Sequence, residues 1–193
     1  MFLLNGRLSA DSRADINDSG IVKTALRSLG YYKVENEDDF TPYVDSQLFG
    51  SIKKFQKDEK LKVDGIVNPN GETHSRLKEN IKRTEQSAGA FLDFTKNYFV
   101  MRAKDVKLSD RYFHCKANFE AGSRGIYGEE MAEILSDFRE RNDKRRKGDS
   151  EEEIASDQQA NIFGRDMARS GRYNSGQEAC AIFRPKRGLD EKY

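Results

Sequence analysis

The chain has 193 residues, enough for one large domain or two small ones. Charged residues make up 35% and hydrophobic ones 36%, with twelve Phe and eight Tyr, so modest cores are within reach and wholesale disorder is not expected. Net charge is +1, and residues 1–86 hold 14 Lys/Arg against 14 Asp/Glu with 20 against 19 in the remainder, which excludes a basic, phosphate-tracking domain and hence nucleic acid as a partner.

In chain order, residues 1–17 read as irregular, with Phe2, Leu3 and Leu4 as their apolar cluster. This N-terminus lacks the basic n-region of a Sec signal, and no stretch approaches the ~20 apolar residues that span a bilayer. A first helix is expected from about Ser19 to Leu29, since Val22, Ala25, Leu26 and Leu29 form one stripe and Gly30 can stop it. A second follows over 46–59, with Asp45 as N-cap and Leu48, Phe49, Ile52 and Phe55 buried. Asp64-Gly65 and Asn68-Pro69-Asn70-Gly71 read as turns, and a third helix as 72–83. Leu29, Phe55, Leu61 and Val63 are assigned to the core of this unit.

The polar segment 84–89 reads as a linker, leading into a second helical domain over 90–193. The aromatic run at 91–101 reads as a helix buried around most of its girth. A helix over 129–147 ends in the basic cluster Lys144–Lys147, which suits the negative end of a helix dipole. Asp149 and Ser150 then cap a helix reaching about Arg169, and the tail reads as extended. The fold class is therefore mainly α, in two units.

The string ALRSLGYY followed by LFGSIKKFQKDEKLKVDGIVNPNGETHSRL resembles the peptidoglycan-binding domain family. The resemblance rests on Leu29-Gly30-Tyr31, Phe55-Gln56, Leu61-Lys62-Val63-Asp64-Gly65 and Glu72-Thr73, in order and suitably spaced. It implies a three-helix module over 18–83 with peptidoglycan as partner. The acidic link KVENEDDFTPYVDSQ is longer than the family's. Tyr31, Tyr32 and Tyr43, with Asp64 at the turn, are the candidate peptidoglycan contacts. The rings could equally be amphipathic packing at the rim of a small core, and Asp64 could simply hold its turn.

In the second domain, DRYFHCKANFEAGSRG, LSDFRERND and DQQANIFGRD resemble C-terminal domains of bacterial secreted or toxin-like proteins. A Cys-His nucleophile is disfavoured, because His114 and Cys115 are neighbours and point about 100° apart on a helix. Cys115 and Cys180 are instead expected to form a disulfide, which would stabilise the domain by roughly 4 kcal/mol on the loop-entropy model. With two His and no CxxC motif, neither a metal site nor a cofactor is expected. Glu120 stands outside the charge runs and is the candidate general acid. Asp157 and Asn161 share a helical face, and with His114 and Glu120 they form either a catalytic cluster or a buried hydrogen-bond network. The resulting expectation is a cell-wall-directed protein, periplasmic or extracellular and delivered without a Sec signal. Its second domain would be a hydrolase or toxin-type effector. The alternative is a non-enzymatic, peptidoglycan-anchored scaffold that docks a protein partner.

Overall fold

The computed structural model describes every residue except 1, 2, 12, 13, 36–39, 105, 107, 147, 149, 191 and 192. Phe2, part of the acidic link, Lys147 and the Asp149 cap therefore lie outside the described residues. The chain is mainly helical, as expected, and its contacts divide it into two units, 1–82 and 83–193.

In the first unit Asp15 opens α1 (Ile16–Ser28), its carboxylate accepting from the Asn17 and Asp18 N–H groups. Leu29 closes the helix, and Gly30 turns the chain at φ 80°, a left-handed value that costs glycine nothing. Asp45 caps α2 (Ser46–Asp58) by accepting from Leu48 N–H at 2.7 Å. The stripes pack as the 3.6-residue period dictates: Val22, Leu26, Leu48, Ile52, Phe55 and Leu77 are all fully buried. Removing a ring such as that of Phe55 from such a core costs about 3–5 kcal/mol.

Gln56 explains why the two halves of the motif travel together. Its side chain, 1% exposed, accepts from Asp64 and Gly65 N–H at 3.1 and 2.8 Å. It donates to Asp64 Oδ1, Ile66 O and Thr73 Oγ1, so one buried amide clamps the turn onto the next helix. Two expectations need correction here. Val63 is half exposed, and the core position belongs to Val67. Leu8, in the segment read as irregular, exchanges both backbone hydrogen bonds with Val67 at 2.9 Å and is fully buried.

Lys23 is the least expected core residue. It is fully buried, and its Nζ reaches Thr41 O at 3.0 Å, Asp45 Oδ2 at 2.5 Å and Tyr43 O. All three ammonium protons thus find acceptors, which is what makes its burial tolerable. Tyr32 closes the cluster, its hydroxyl 2.7 Å from Asp45 and its ring 5.2 Å from the ammonium.

α3 runs without a break from Glu72 to Lys104, so 84–89 is helical rather than a linker. The segment is polar, yet Glu85, Gln86 and Ala88 are good helix formers. Gln86 also accepts from Tyr127 N–H at 3.2 Å, which fixes its place in the second unit.

The second unit is built around α4 (Asp110–Gly122), in which every residue from Tyr112 to Phe119 is buried. Around it lie the later part of α3, α5 (Ile126–Arg146), α6 (Glu151–Ser170) and the short α7 (Gly176–Ala179). Ser150 forms a full capping box with Glu153 at the start of α6. The tail, expected as extended, coils into α7 and a 3₁₀ turn at Ala181–Phe183. The reason is covalent and local: the Cys115–Cys180 disulfide holds it on α4, and Ser175 caps α7.

Candidate functional site

Three helices of the second unit bring polar side chains to one buried point. From α4, His114 is 3% exposed and presents Nδ1 to Asn161 Oδ1 of α6 at 3.1 Å and to Glu140 Oε1 of α5 at 3.2 Å. Its Nε2 has no hydrogen-bond partner, and Asp157 Oδ2 stands 3.5 Å away. Asn161 donates to Glu140 at 3.1 Å and accepts from Asn118 at 2.8 Å, while Arg165 holds Asn118 Oδ1 at 2.8 Å. Burial above all pushes the Asp157 carboxyl up; His114 pulls it partly back, and Glu140 adds to the rise. Asp157 also lines an open groove of about 1010 Å³ whose walls include Arg111, Arg139, Asp143 and Phe183.

Glu120 is not part of this point. It leaves a different face of α4 and pairs with Lys116 at 2.6 Å, both being tied to Asn97 of α3. Of the residues grouped from the sequence, the fold therefore unites His114, Asp157 and Asn161 and sets Glu120 apart. Glu140 completes the cluster and was missed, because it lies in the charge-rich run RERNDKRRK, which reads as a solvated face. The thiols of Cys115 and Cys180 are consumed in the disulfide, so neither is a nucleophile.

A second feature lies on α3. Between residues 88 and 103 its exposed positions are Ala88, Phe91, Leu92, Lys96, Tyr98, Phe99, Arg102 and Ala103. Phe91, Leu92, Tyr98 and Phe99 are 45–65% exposed, and the two charges among them are both cationic. The acidic residue of this stretch, Asp93, is turned away and paired with Arg124 at 2.5 Å. On α5, Ile134 and Phe138 add exposed apolar surface one helical turn apart. The run expected to be buried around most of its girth is thus half open. The small side chains Ala90, Ala121 and Ala132, with Phe94 and Met131, close only its inner side.

The tyrosines of the first unit differ in availability. Tyr32 is 5% exposed and committed to Asp45, and Tyr31 packs edge-on against Phe55 at 5.3 Å. Tyr43 is 67% exposed. Asp64 accepts from Ile66 N–H at 2.9 Å and from Gln56, the geometry of a residue holding its own turn.

Comparison with known proteins decides the family. The profile for serum amyloid A protein matches residues 81–193, more than half of the chain. The chain belongs to the serum amyloid A family. The serum amyloid A protein of Notamacropus eugenii is 36% identical over 117 residues, covering 61% of this chain and 84% of that protein. Serum amyloid A-3 of Oryctolagus cuniculus and serum amyloid A-1 of Homo sapiens are each 39% identical over 101 residues, 52% of this chain and 73% of theirs. The peptidoglycan binding domain profile matches residues 17–72, in line with the resemblance drawn from the first half.

Serum amyloid A membership overturns the expected bacterial wall hydrolase or toxin-type effector, and with it the wall-anchored scaffold and the toxin-like reading of DRYFHCKANFEAGSRG. That segment lies inside the serum amyloid A match. The relatives are serum proteins by name, which is in line with the extracellular setting expected from the sequence and not with a periplasmic one. Among the described residues no helix is long and apolar enough to cross a membrane.

Proposed function

We propose that the serum amyloid A unit is a lipid-surface binding module that acts in the manner of an apolipoprotein outside the cell. The observation that carries this is the open face of α3. Phe91, Leu92, Tyr98 and Phe99 expose on the order of 400 Å² of apolar side chain, the size at which a patch on a soluble protein marks an interaction site. At about 25 cal/mol per Å² its transfer out of water is worth roughly 10 kcal/mol before the costs of association. Lys96 and Arg102 border it, as suits the phosphates of a lipid headgroup layer. A helix lying in the interface with its apolar side down meets these requirements; a deep cavity is not needed.

The test is flotation of the full chain with vesicles of phosphatidylcholine containing some phosphatidylserine. The wild type should float, and Phe91→Asp/Phe99→Asp should remain at the bottom with an unchanged melting curve. A wild type that stays unbound, or a variant that floats equally well, refutes the reading.

The first unit's match to the peptidoglycan binding domain family supports peptidoglycan fragments as an additional partner. Tyr43 offers the exposed ring for it. Pelleting with purified sacculi, reduced by Tyr43→Ala, is the expected result; a wild type left in the supernatant at low salt removes peptidoglycan as a partner.

A further inference from the structure

The cluster of His114, Glu140 and Asp157 has an electrostatic difficulty that its own hydrogen bonds do not solve. Two carboxylates are brought to one imidazole, Glu140 with its side chain 8% exposed and Asp157 with 22%. Among the described residues, His114 is the ion-pair partner of both. Arg139 lies near but pairs with Asp143 at 3.6 Å and covers the Tyr98 ring. Buried anions of this kind are normally paired with a cation or coordinate a metal.

We propose that His114, Glu140 and Asp157 form a binding site for one divalent transition-metal ion of the zinc class. The donor set is right for it, since imidazole and carboxylate oxygens suit Zn²⁺ and its neighbours in the first transition series. One ligand atom from each residue lies within 4.8 Å of the other two. The separation of His114 Nε2 from Asp157 Oδ2, 3.5 Å, matches the spacing of about 3.4 Å between two ligands on a tetrahedral ion.

The independent observation is the imidazole itself. His114 is 97% buried by its 3% exposure, yet Nε2 has no hydrogen-bond partner and is aimed at Asp157. Nδ1 meanwhile faces two acceptors, Asn161 Oδ1 and Glu140 Oε1. A proton on Nδ1 satisfies these acceptors and leaves the Nε2 lone pair as a ligand. When Glu140 turns to the ion, Asn161 retains the Nδ1–H and so supplies the outer partner that metal-bound histidines usually have. Asn118 and Arg165 hold Asn161 in turn. Asp157 lines the groove of about 1010 Å³, which gives the ion its way in. None of this depends on lipid binding, which rests on the exposed side chains of α3.

The experiment uses the full chain, stripped with chelator and titrated with Co²⁺ and Zn²⁺. The expected result is one Co²⁺ per chain, with the visible absorption of a low-coordinate ion that Zn²⁺ displaces. Asp157→Asn is the deciding variant. Asp157 stands at the groove, so its amide should preserve the melting curve while lowering affinity at least about tenfold. Glu140→Gln should do the same, and His74→Gln, which alters the other histidine of the chain, should leave the spectrum intact. Absence of a Co²⁺ spectrum, a spectrum that survives Asp157→Asn, or one that disappears with His74→Gln each overturns the proposal.

Discussion

α4 and α6 are held at a backbone-to-backbone approach that only glycine permits, and Gly164→Ala should break it. A Cβ at position 164 would overlap the carbonyl oxygen of Cys115 and come within 3.0 Å of Asn118 Cβ. Neither neighbour can step aside. Cys115 is tied into the disulfide, and Asn118 is bonded to Asn161, Arg165 and Ser136. The helices must instead part by about 1 Å to restore ordinary van der Waals contact. Overpacking of this kind costs about 1–3 kcal/mol. Stretching the Asn118–Asn161 and Arg165–Asn118 bonds adds about 1 kcal/mol each, while the helix propensity of Ala returns about 1 kcal/mol. A net loss of about 2–4 kcal/mol should lower the melting temperature of this unit by roughly 10 °C or more. Thermal unfolding followed by circular dichroism reads it directly. The matched control is Gly50→Ala in α2, where nothing lies within 4 Å of the new methyl and a gain of up to about 1 kcal/mol is expected. A Gly164→Ala protein that melts with or above the wild type would refute the close-approach reasoning.

Cys115→Ala/Cys180→Ala should destabilise the second unit by roughly 4 kcal/mol on the loop-entropy model, measured by urea unfolding beside the wild type with and without reductant. Lys23 and Asp45 should respond unequally. Asp45→Ala strands a buried ammonium and removes a helix cap, costing about 3–5 kcal/mol, whereas Lys23→Met leaves a carboxylate that water can reach and costs less. Equal costs would contradict the assigned burial. The pH dependence follows from the same pair. Burial alone would raise the Asp45 pKa, but bonds from Lys23, Tyr32 and Leu48 N–H outweigh it and hold the folded value below 3.8. A lowered folded value means that the contribution is complete above about pH 5 and lost as pH falls through the folded pKa. The melting temperature of the first unit should therefore drop more steeply in acid for the wild type than for Lys23→Met/Asp45→Asn. Parallel curves would exclude the pair as the source.

Where the structure uses local chemistry, the sequence could be read. Asp45 as a cap, Gly30 as a stop and the stripes Val22–Leu26 and Ile52–Phe55 are signals confined to a few residues, and all appear as expected. Lys23 was not legible, because a lone lysine on a helix reads as solvated and its partner stands 22 residues away. Val67 displaced Val63 through a pairing with Leu8, a contact that no local pattern announces. α3 looked like two helices because 84–89 is polar, although nothing in Thr84–Ala88 breaks a helix. The site was half visible for the same reason. Asp157 and Asn161 share a face by spacing, and His114 with Asn118 likewise, but Glu140 is hidden in a charge run. Glu120 has apolar neighbours in sequence, whereas the fold gives it Lys116 and Asn97.

The bond between Cys115 and Cys180 also changes what a protease can do to this chain. The loop that it closes contains α5 and α6, and in the last turn of α5 Lys144, Arg145 and Arg146 are exposed to a trypsin-like enzyme. A cut there severs the main chain between Glu140 and Asp157, yet both fragments remain covalently joined across α4 and the tail. The nicked molecule would run as one species on a non-reducing gel and separate into two when thiol is added. Cleavage in this turn therefore releases no fragment until a reductant arrives.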